Sequence, residues 1–458
     1  MTNKNNKITV GILGFAAFVA GPVLSQDAGG RMASLSISQD LRWSDNIDFD
    51  SSNRSGAFSR TDLGFSLTSA TRTDELSLAF GGAIDAEFAD ETSISFVSPF
   101  VTLAYGQETR SASFSANASY RNNDISSLVA AGIDPGSGLT FVVEDEGRRE
   151  DIAAEATFAF GLNAPFGGGV VLSYSQTDYS DTADPDLLDI SRSSIDGNLR
   201  FDLTPTLRLV ATGRYGTVDE DGVGSIDQTE QRLSFGVEAD VRPGFSVGAS
   251  VDYSRVESIG GTALAPIDRL EEGAGLALNA AMELQNGTLS GEISSRVGEA
   301  GRVTTASVTR SLEMRRGNVD LTFGLTETET GDLNPTYGIG ATRELRQGEI
   351  GLSLSQVVNT SVEGNESLDS SITLDYRQQL TNAIGLGASL ALADTRELAG
   401  DVDDATRLDA TVSVSHALNR DWDLVGGYTY SRLSEEGSDD VTSNTVFVGV
   451  SRTFDWRW

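Results

Sequence analysis

The chain has 458 residues, no cysteine, a single histidine and a formal net charge of −34. Without cysteine it forms no disulfide framework, thiolate metal centre or thiol nucleophile. So acidic a balance leaves no basic surface to displace counterions from phosphates, which excludes a nucleic-acid partner.

Both lysines, Lys4 and Lys7, lie in the first seven residues, and every later basic residue is arginine. An apolar run, Ile8 to Ala20, follows directly and ends in Gly21-Pro22-Val23-Leu24-Ser25. A basic start, a short apolar core and small residues at its end predict a secretory signal peptide over residues 1–25, with cleavage near Ser25–Gln26. The apolar run is too short to span a bilayer comfortably. The mature chain is then 26–458.

Beyond it no stretch is long and apolar enough for a spanning helix, and a 3.6-residue period is almost absent. Strict alternation recurs instead. Phe245, Val247, Ala249, Val251 and Tyr253 alternate with Ser246, Gly248, Ser250 and Asp252; Val319, Leu321, Phe323 and Leu325 alternate with Asp320, Thr322, Gly324 and Thr326. A period of two puts each set on its own face of a strand. About 22 such segments (20–24) run from Met32–Trp43 to Val441–Trp458. Their connections alternate in kind. Thr204-Pro205-Thr206, Arg242-Pro243-Gly244 and Gln285-Asn286-Gly287 are tight turns. The intervening ones are longer and acidic. A soluble β-helix would show a fixed repeat, and a sandwich would need a second layer for each apolar face. The pattern predicts an all-β, transmembrane, antiparallel up-and-down barrel with short periplasmic turns and longer outer loops.

The last strand places Val446, Val448, Val450, Phe454, Trp456 and Trp458 on one face. An alternating terminal strand that closes on an aromatic residue resembles the terminal signal of bacterial outer-membrane β-barrels. That resemblance implies that the barrel assembly machinery reads these residues, and that the partners are outer-membrane lipid and lipopolysaccharide. Arg452 departs from the pattern by falling on the apolar face; a bulge, or a signal that ends at Phe454, would account for it. Trp422, followed by Leu424, Gly426, Tyr428 and Tyr430, and Trp43 at the far end of the first strand, suit interfacial aromatic girdles.

Twenty-two strands enclose a cylinder about 43 Å across, too wide for side chains to fill. Because the first strand starts soon after the expected cleavage point, the sequence reading is a barrel with no plug domain. It implies a porin-like channel for passive diffusion of polar solutes. The many short strands and turns also resemble large barrels associated with exopolysaccharide export, which implies periplasmic export partners; a structural or adhesive surface barrel is the third reading. Residues 122–148, with the apolar Ile125 to Ala131, are either a lumen constriction or a surface loop with one short helix or a hairpin extension, and 258–272 are a shorter candidate.

No catalytic constellation emerges, and no enzyme activity is expected. His416 shares a strand face with Val412, Val414 and Leu418, away from Ser413 and Ser415, so the pair cannot exchange a proton. The acidic loops lack calcium-loop spacing, and neither a cofactor nor a defined metal site is expected. Alternation turns Arg208, Arg214, Asp252, Asp320, Asp375 and Arg377 into the lumen. Asp219, Glu220, Asp221, Asp401, Asp403, Asp404, Glu435, Glu436, Asp439 and Asp440 form an expected acidic, cation-preferring mouth.

Overall fold

The alternating segments become strands of 11 to 19 residues, long enough to cross a bilayer at a tilt. The computed structural model describes residues 30–51, 53–88, 94–125, 147–182, 187–222, 225–262, 266–298, 301–329, 331–360, 365–399, 404–435 and 437–458. The expected signal peptide and most of the candidate constriction, 126–146, lie outside them. Within them the strands run from β1 (Gly30–Ser44) to β22 (Val441–Arg457), 22 in all, each antiparallel to the next in sequence. Among the described residues no helix is long and apolar enough to cross a membrane; the strands are the spanning elements.

Closure is made by β1 on β22. Their ladder runs from Met32↔Arg457 to Ser44↔Thr445 without a register shift, and Arg31 and Trp458 exchange backbone hydrogen bonds of 3.1 Å beyond it. Among the described residues no strand edge is left for pairing with another chain. Gly449 is required at this seam: a Cβ there would stand 1.8 Å from Asp40 Oδ1.

The two faces differ in kind. Phe235, Val251, Val308 and Phe323, on one face, are each more than half exposed, and similar residues continue round the wall. So large an apolar surface belongs against hydrocarbon. The opposite face, rich in Ser, Thr, Gly and paired charges, lines the lumen. Bulges interrupt the ladders at Gly81/Ala83, Asp202/Thr204, Asp240/Arg242 and Glu366/Ser367.

None of these lies in β22, which corrects the idea that a bulge absorbs Arg452. The residue pairs with Ile37 on the lipid face. Its guanidinium carbon sits 4.2 Å from the Phe454 ring centroid and 5.5 Å from that of Trp422, with Asp421 3.8 Å away. Two aromatic faces and a rim position make the charge tolerable there.

Candidate functional site

The lumen wall is built from a repeated local device. On a strand, residues two apart share a face, so an acid and an arginine at i and i+2 meet side by side. Asp40–Arg42 does so at 2.9 Å, Arg60–Asp62 at 3.0 Å, Arg149–Asp151 at 2.8 Å and Arg407–Asp409 at 3.1 Å. All four pairs lie on the lumen face toward the outer end of the barrel. Cross-strand bonds extend them. Asp62 accepts from Ser38 at 3.2 Å, Asp151 from Thr177 at 2.9 Å and Asp409 from Ser431 at 2.6 Å.

Three of these arginines are buried, although a wide water-filled barrel would leave them wet. Arg42, Arg149 and Arg407 are 3–4 % exposed, and Ser254, Ser258 and Asp369 2 % or less. Toward the periplasmic end the lumen face opens: the side chains of Arg208 and Glu238 are 44 % and 49 % exposed. The lumen is thus sheltered in its outer half and open in its inner half.

Part of the shelter is the connection between β1 and β2 (Gly56–Ala70), residues 45–55. Ile47 is fully buried against Phe58 of β2, and Phe49 packs on Leu433 of β21 (Asp423–Glu435) and on Val441 of β22. Phe58 pairs with Arg42, and Leu433 with Val441, on the lumen face, so the loop bends into the mouth rather than away from it. The Arg407 guanidinium lies 5.2 Å from the Phe49 ring centroid. Asn46 ties the turn by donating to the carbonyls of Asp50 at 2.7 Å and Thr442 at 3.1 Å. Arg54 donates to both Asp48 oxygens at 2.6 and 2.8 Å and to Glu87 of β3 (Asp74–Glu87) at 2.7 Å. Those bonds, Asp48's foremost, raise the arginine's pKa further and hold it charged.

The expected lumen residues are spread over two walls. Arg208 and Arg214, on β9 (Leu207–Asp221), each bridge two acids. Arg208 bonds Asp202 at 2.8 Å and Glu238 at 3.1 Å; Arg214 bonds Asp196 at 3.1 Å and Glu230 at 2.9 Å. Asp252, on β11 (Phe245–Gly261), accepts from Ser254 at 3.2 Å. Asp320 accepts from Asn318 at 3.1 Å, while Asp375 and Arg377 stand exposed on β18 (Glu366–Gln379), apart from the others.

The acidic residues do not converge on one ring. Asp219 and Asp221 are exposed on the lipid face of β9, whereas Glu220 turns inward and accepts from the Ile226 amide at 3.1 Å. Asp404 caps the Glu397 amide at 2.8 Å, and Asp440 pairs with Arg432 at 2.6 Å. Glu435 ends β21, and Asp439 is exposed. Asp401, Asp403 and Glu436 lie outside the described residues. Val446, Val448, Val450, Phe454, Trp456 and Trp458 share the lipid face of the closing strand. His416 pairs with Leu424 on that face. The inward loop 45–55 escaped the sequence reading, as did the buried pairs, although their i, i+2 spacing was there to be read. Among the described residues no three acidic or histidine side chains are grouped to hold a metal.

A closed 22-strand barrel with an apolar belt, a charged lumen and a sheltered mouth defines a large outer-membrane β-barrel. No protein-family model matches the chain, and no curated protein does. Solved structures are similar in fold. The Escherichia coli K12 ferric-catecholate import receptor Fiu, in its open form, superposes with a TM-score of 0.56 at 12 % identity, over 94 % of this chain and 82 % of that one. The Neisseria meningitidis iron transporter FrpB gives 0.56 at 9 %, over 93 % and 82 %. A mutant of the Pseudomonas aeruginosa ferric enterobactin receptor PfeA gives 0.52 at 10 %, over 94 % and 81 %.

These likenesses correct two expectations. The barrel has the architecture of import receptors, a class in which 22-strand lumens are plugged, so the reading of a barrel with no plug domain does not stand. It rested on how little chain precedes β1, which says nothing of what fills the lumen. The passive, porin-like channel falls with it, because the barrels it resembles are receptors and its own mouth is sheltered. Export of exopolysaccharide and a purely structural or adhesive surface role gain no support either.

Proposed function

We propose that the chain is the barrel of an outer-membrane uptake receptor that admits a bulky, polar solute by opening a closed mouth. The observation that carries this reading is the packing of Ile47 and Phe49 onto the lumen face, clamped by Arg54 on Asp48 and Glu87. A loop clamped across the mouth in this way has to move before a bulky solute can pass. The substrate class is a ferric chelate of the catecholate type, the class named for the barrels it resembles. Opening needs work from outside the barrel, so the reading includes a periplasmic energy-coupling partner and an element that fills the inner lumen.

The test is uptake of radioactive iron from a catecholate chelate by cells with and without the protein, beside planar-bilayer recording of the purified barrel. Uptake that depends on the protein, from a barrel electrically silent at rest, is the expected result. Large, steady conductance from the intact protein would sink the gated reading. Uptake that ignores the chelate's chemistry would sink the substrate class alone.

A further inference from the structure

At the periplasmic rim the acids gather on the lumen face, where Arg200 and Arg208 pair with them, whereas the arginines of the lipid face lack such partners. On β8 (Asp189–Thr204) through β17 (Gly348–Thr360) the register turns Asp202, Glu238, Asp240, Glu313, Glu344 and Glu349 into the lumen. Over the same turns the lipid face carries arginines. Arg242 of β10 (Ile226–Arg242) pairs with Phe245; Arg310 of β14 (Gly301–Met314) pairs with Leu289 and Leu321; Arg343 of β16 (Leu333–Leu345) pairs with Ile350. Each partner is an outward, apolar residue. Arg452 repeats the arrangement at the closing seam.

Their partners leave the charges unneutralised. Arg242 lies 5.5 Å from the Phe245 ring centroid and 3.9 Å from Met282 Sδ. Arg310 donates to the carbonyls of Thr288 and Ser311, both at 2.8 Å, and to Asn286 Oδ1 at 2.6 Å. Arg343 is exposed. Among the described residues none of these three has a carboxylate within ion-pair distance; Arg452 has Asp421 only at 3.8 Å. At the outer end of the same face, Arg255, Arg396 and Arg432 hold Glu257, Asp394 and Asp440 at 2.6–3.1 Å, while Arg148 and Arg302 bond neutral oxygens. Asp74, a lipid-face acid at the periplasmic rim, is on β3, away from this arc, and is satisfied by Thr71, Thr73 and Gln107.

From this sorting we propose that Arg242, Arg310 and Arg343 form a binding arc for the phosphodiester groups of glycerophospholipids in the inner leaflet of the outer membrane. An arginine on a barrel's lipid face costs little at the interface although several kcal/mol at the midplane, and its planar fork matches a phosphate. The apolar wall above the arc, with Leu276, Leu278 and Ala280 in line with Met282, receives the acyl chains. The missing counter-charges are supplied by lipid.

Native mass spectrometry of the intact barrel tests this, in detergent doped with phosphatidylglycerol, phosphatidylethanolamine, lipid A or a diacylglycerol of matched chains. Retention of both glycerophospholipids over diacylglycerol is expected. R242Q/R310Q/R343Q should weaken it by roughly fivefold per arginine removed, the change that corresponds to ~1 kcal/mol per basic residue at an anionic surface. R255Q/R396Q should leave retention unchanged. The single variant R343Q, which removes an exposed side chain, gives the same readout if the triple variant fails to insert. Diacylglycerol retained as well as phospholipid, lipid A preferred through these arginines, or a folded R343Q barrel that binds like the native one would overturn the proposal.

Discussion

Residue by residue, the lumen wall separates charges that stabilise from charges that merely sit. Arg407 is almost fully buried, bonds Asp409 and stacks under Phe49. Arg407→Ala strands a sheltered carboxylate and removes the ring's support, so it should destabilise the folded barrel by about 3 kcal/mol. Arg255→Ala breaks a pair of the same spacing whose side chains are 44 % and 42 % exposed, and should change stability by less than ~1 kcal/mol. Denaturant titration in vesicles separates the two, and equal losses would show that burial does not set the value of these pairs. Acid resistance follows the same logic. Hydrogen bonds from Ser434 and then Arg432 lower the pKa of Asp440, in the last outer loop, below its ordinary 3.8. A group depressed on folding contributes above its unfolded pKa and loses that contribution as pH falls through the folded one. The loop's tie to Arg432 should therefore persist through the ordinary carboxylate range and be lost only below it; a carboxyl-carbon NMR titration of Asp440 with a midpoint above 3.8 would contradict it. Alternation alone made the lumen side of Arg208, Arg214 and Asp252 legible, because face follows from a period of two. Burial was not legible, because it depends on what folds over each residue.

At the scale of elements, strands are written locally and loops are not. Twenty-two segments and their tight turns could be counted because alternation and turn chemistry are short-range signals. The inward connection gave no such signal. Residues 45–55 are acidic and polar with only Ile47 and Phe49 to anchor them, whereas the longer apolar run Ile125 to Ala131 drew attention as a constriction. What brings 45–55 inward is a set of partners distant in sequence, Leu433, Val441 and Arg407, that only closure of β1 on β22 delivers. The same closure explains Arg452, which looked like a register error and is an interfacial charge between two rings. Because the chain has no cysteine, the loop's placement can be checked cleanly. F49C/L433C should be joined by a short thiol-specific cross-linker, whereas F49C paired with a cysteine at the exposed Arg377 should not. Absence of the first cross-link would mean that the loop does not occupy the mouth.

For the molecule as a whole, the question is how far the latch shifts the balance between closed and open mouths. Phe49 buries one large apolar side chain, worth about 2 kcal/mol, and 1.4 kcal/mol is a tenfold change in an equilibrium. Phe49→Ala should therefore raise the open population roughly 30-fold. Arg54→Ala, which frees both Asp48 and Glu87, should act in the same direction. Neither residue lies in a strand, so a folded but leakier protein is the expected phenotype: silent or rarely opening bilayers for the native chain, frequent openings for each variant, and more frequent still for the two combined, since Phe49 packs on β21 and β22 while Arg54 is held by β3. Entry of a large antibiotic into cells gives the same readout in vivo. If F49A/R54A barrels stay as quiet as the native one, loop 45–55 does not by itself close the lumen, and the element that fills its inner half, or another part of the mouth, does. If the native barrel conducts as freely as the variants, the mouth is not a gate, and the receptor reading loses the observation that carries it.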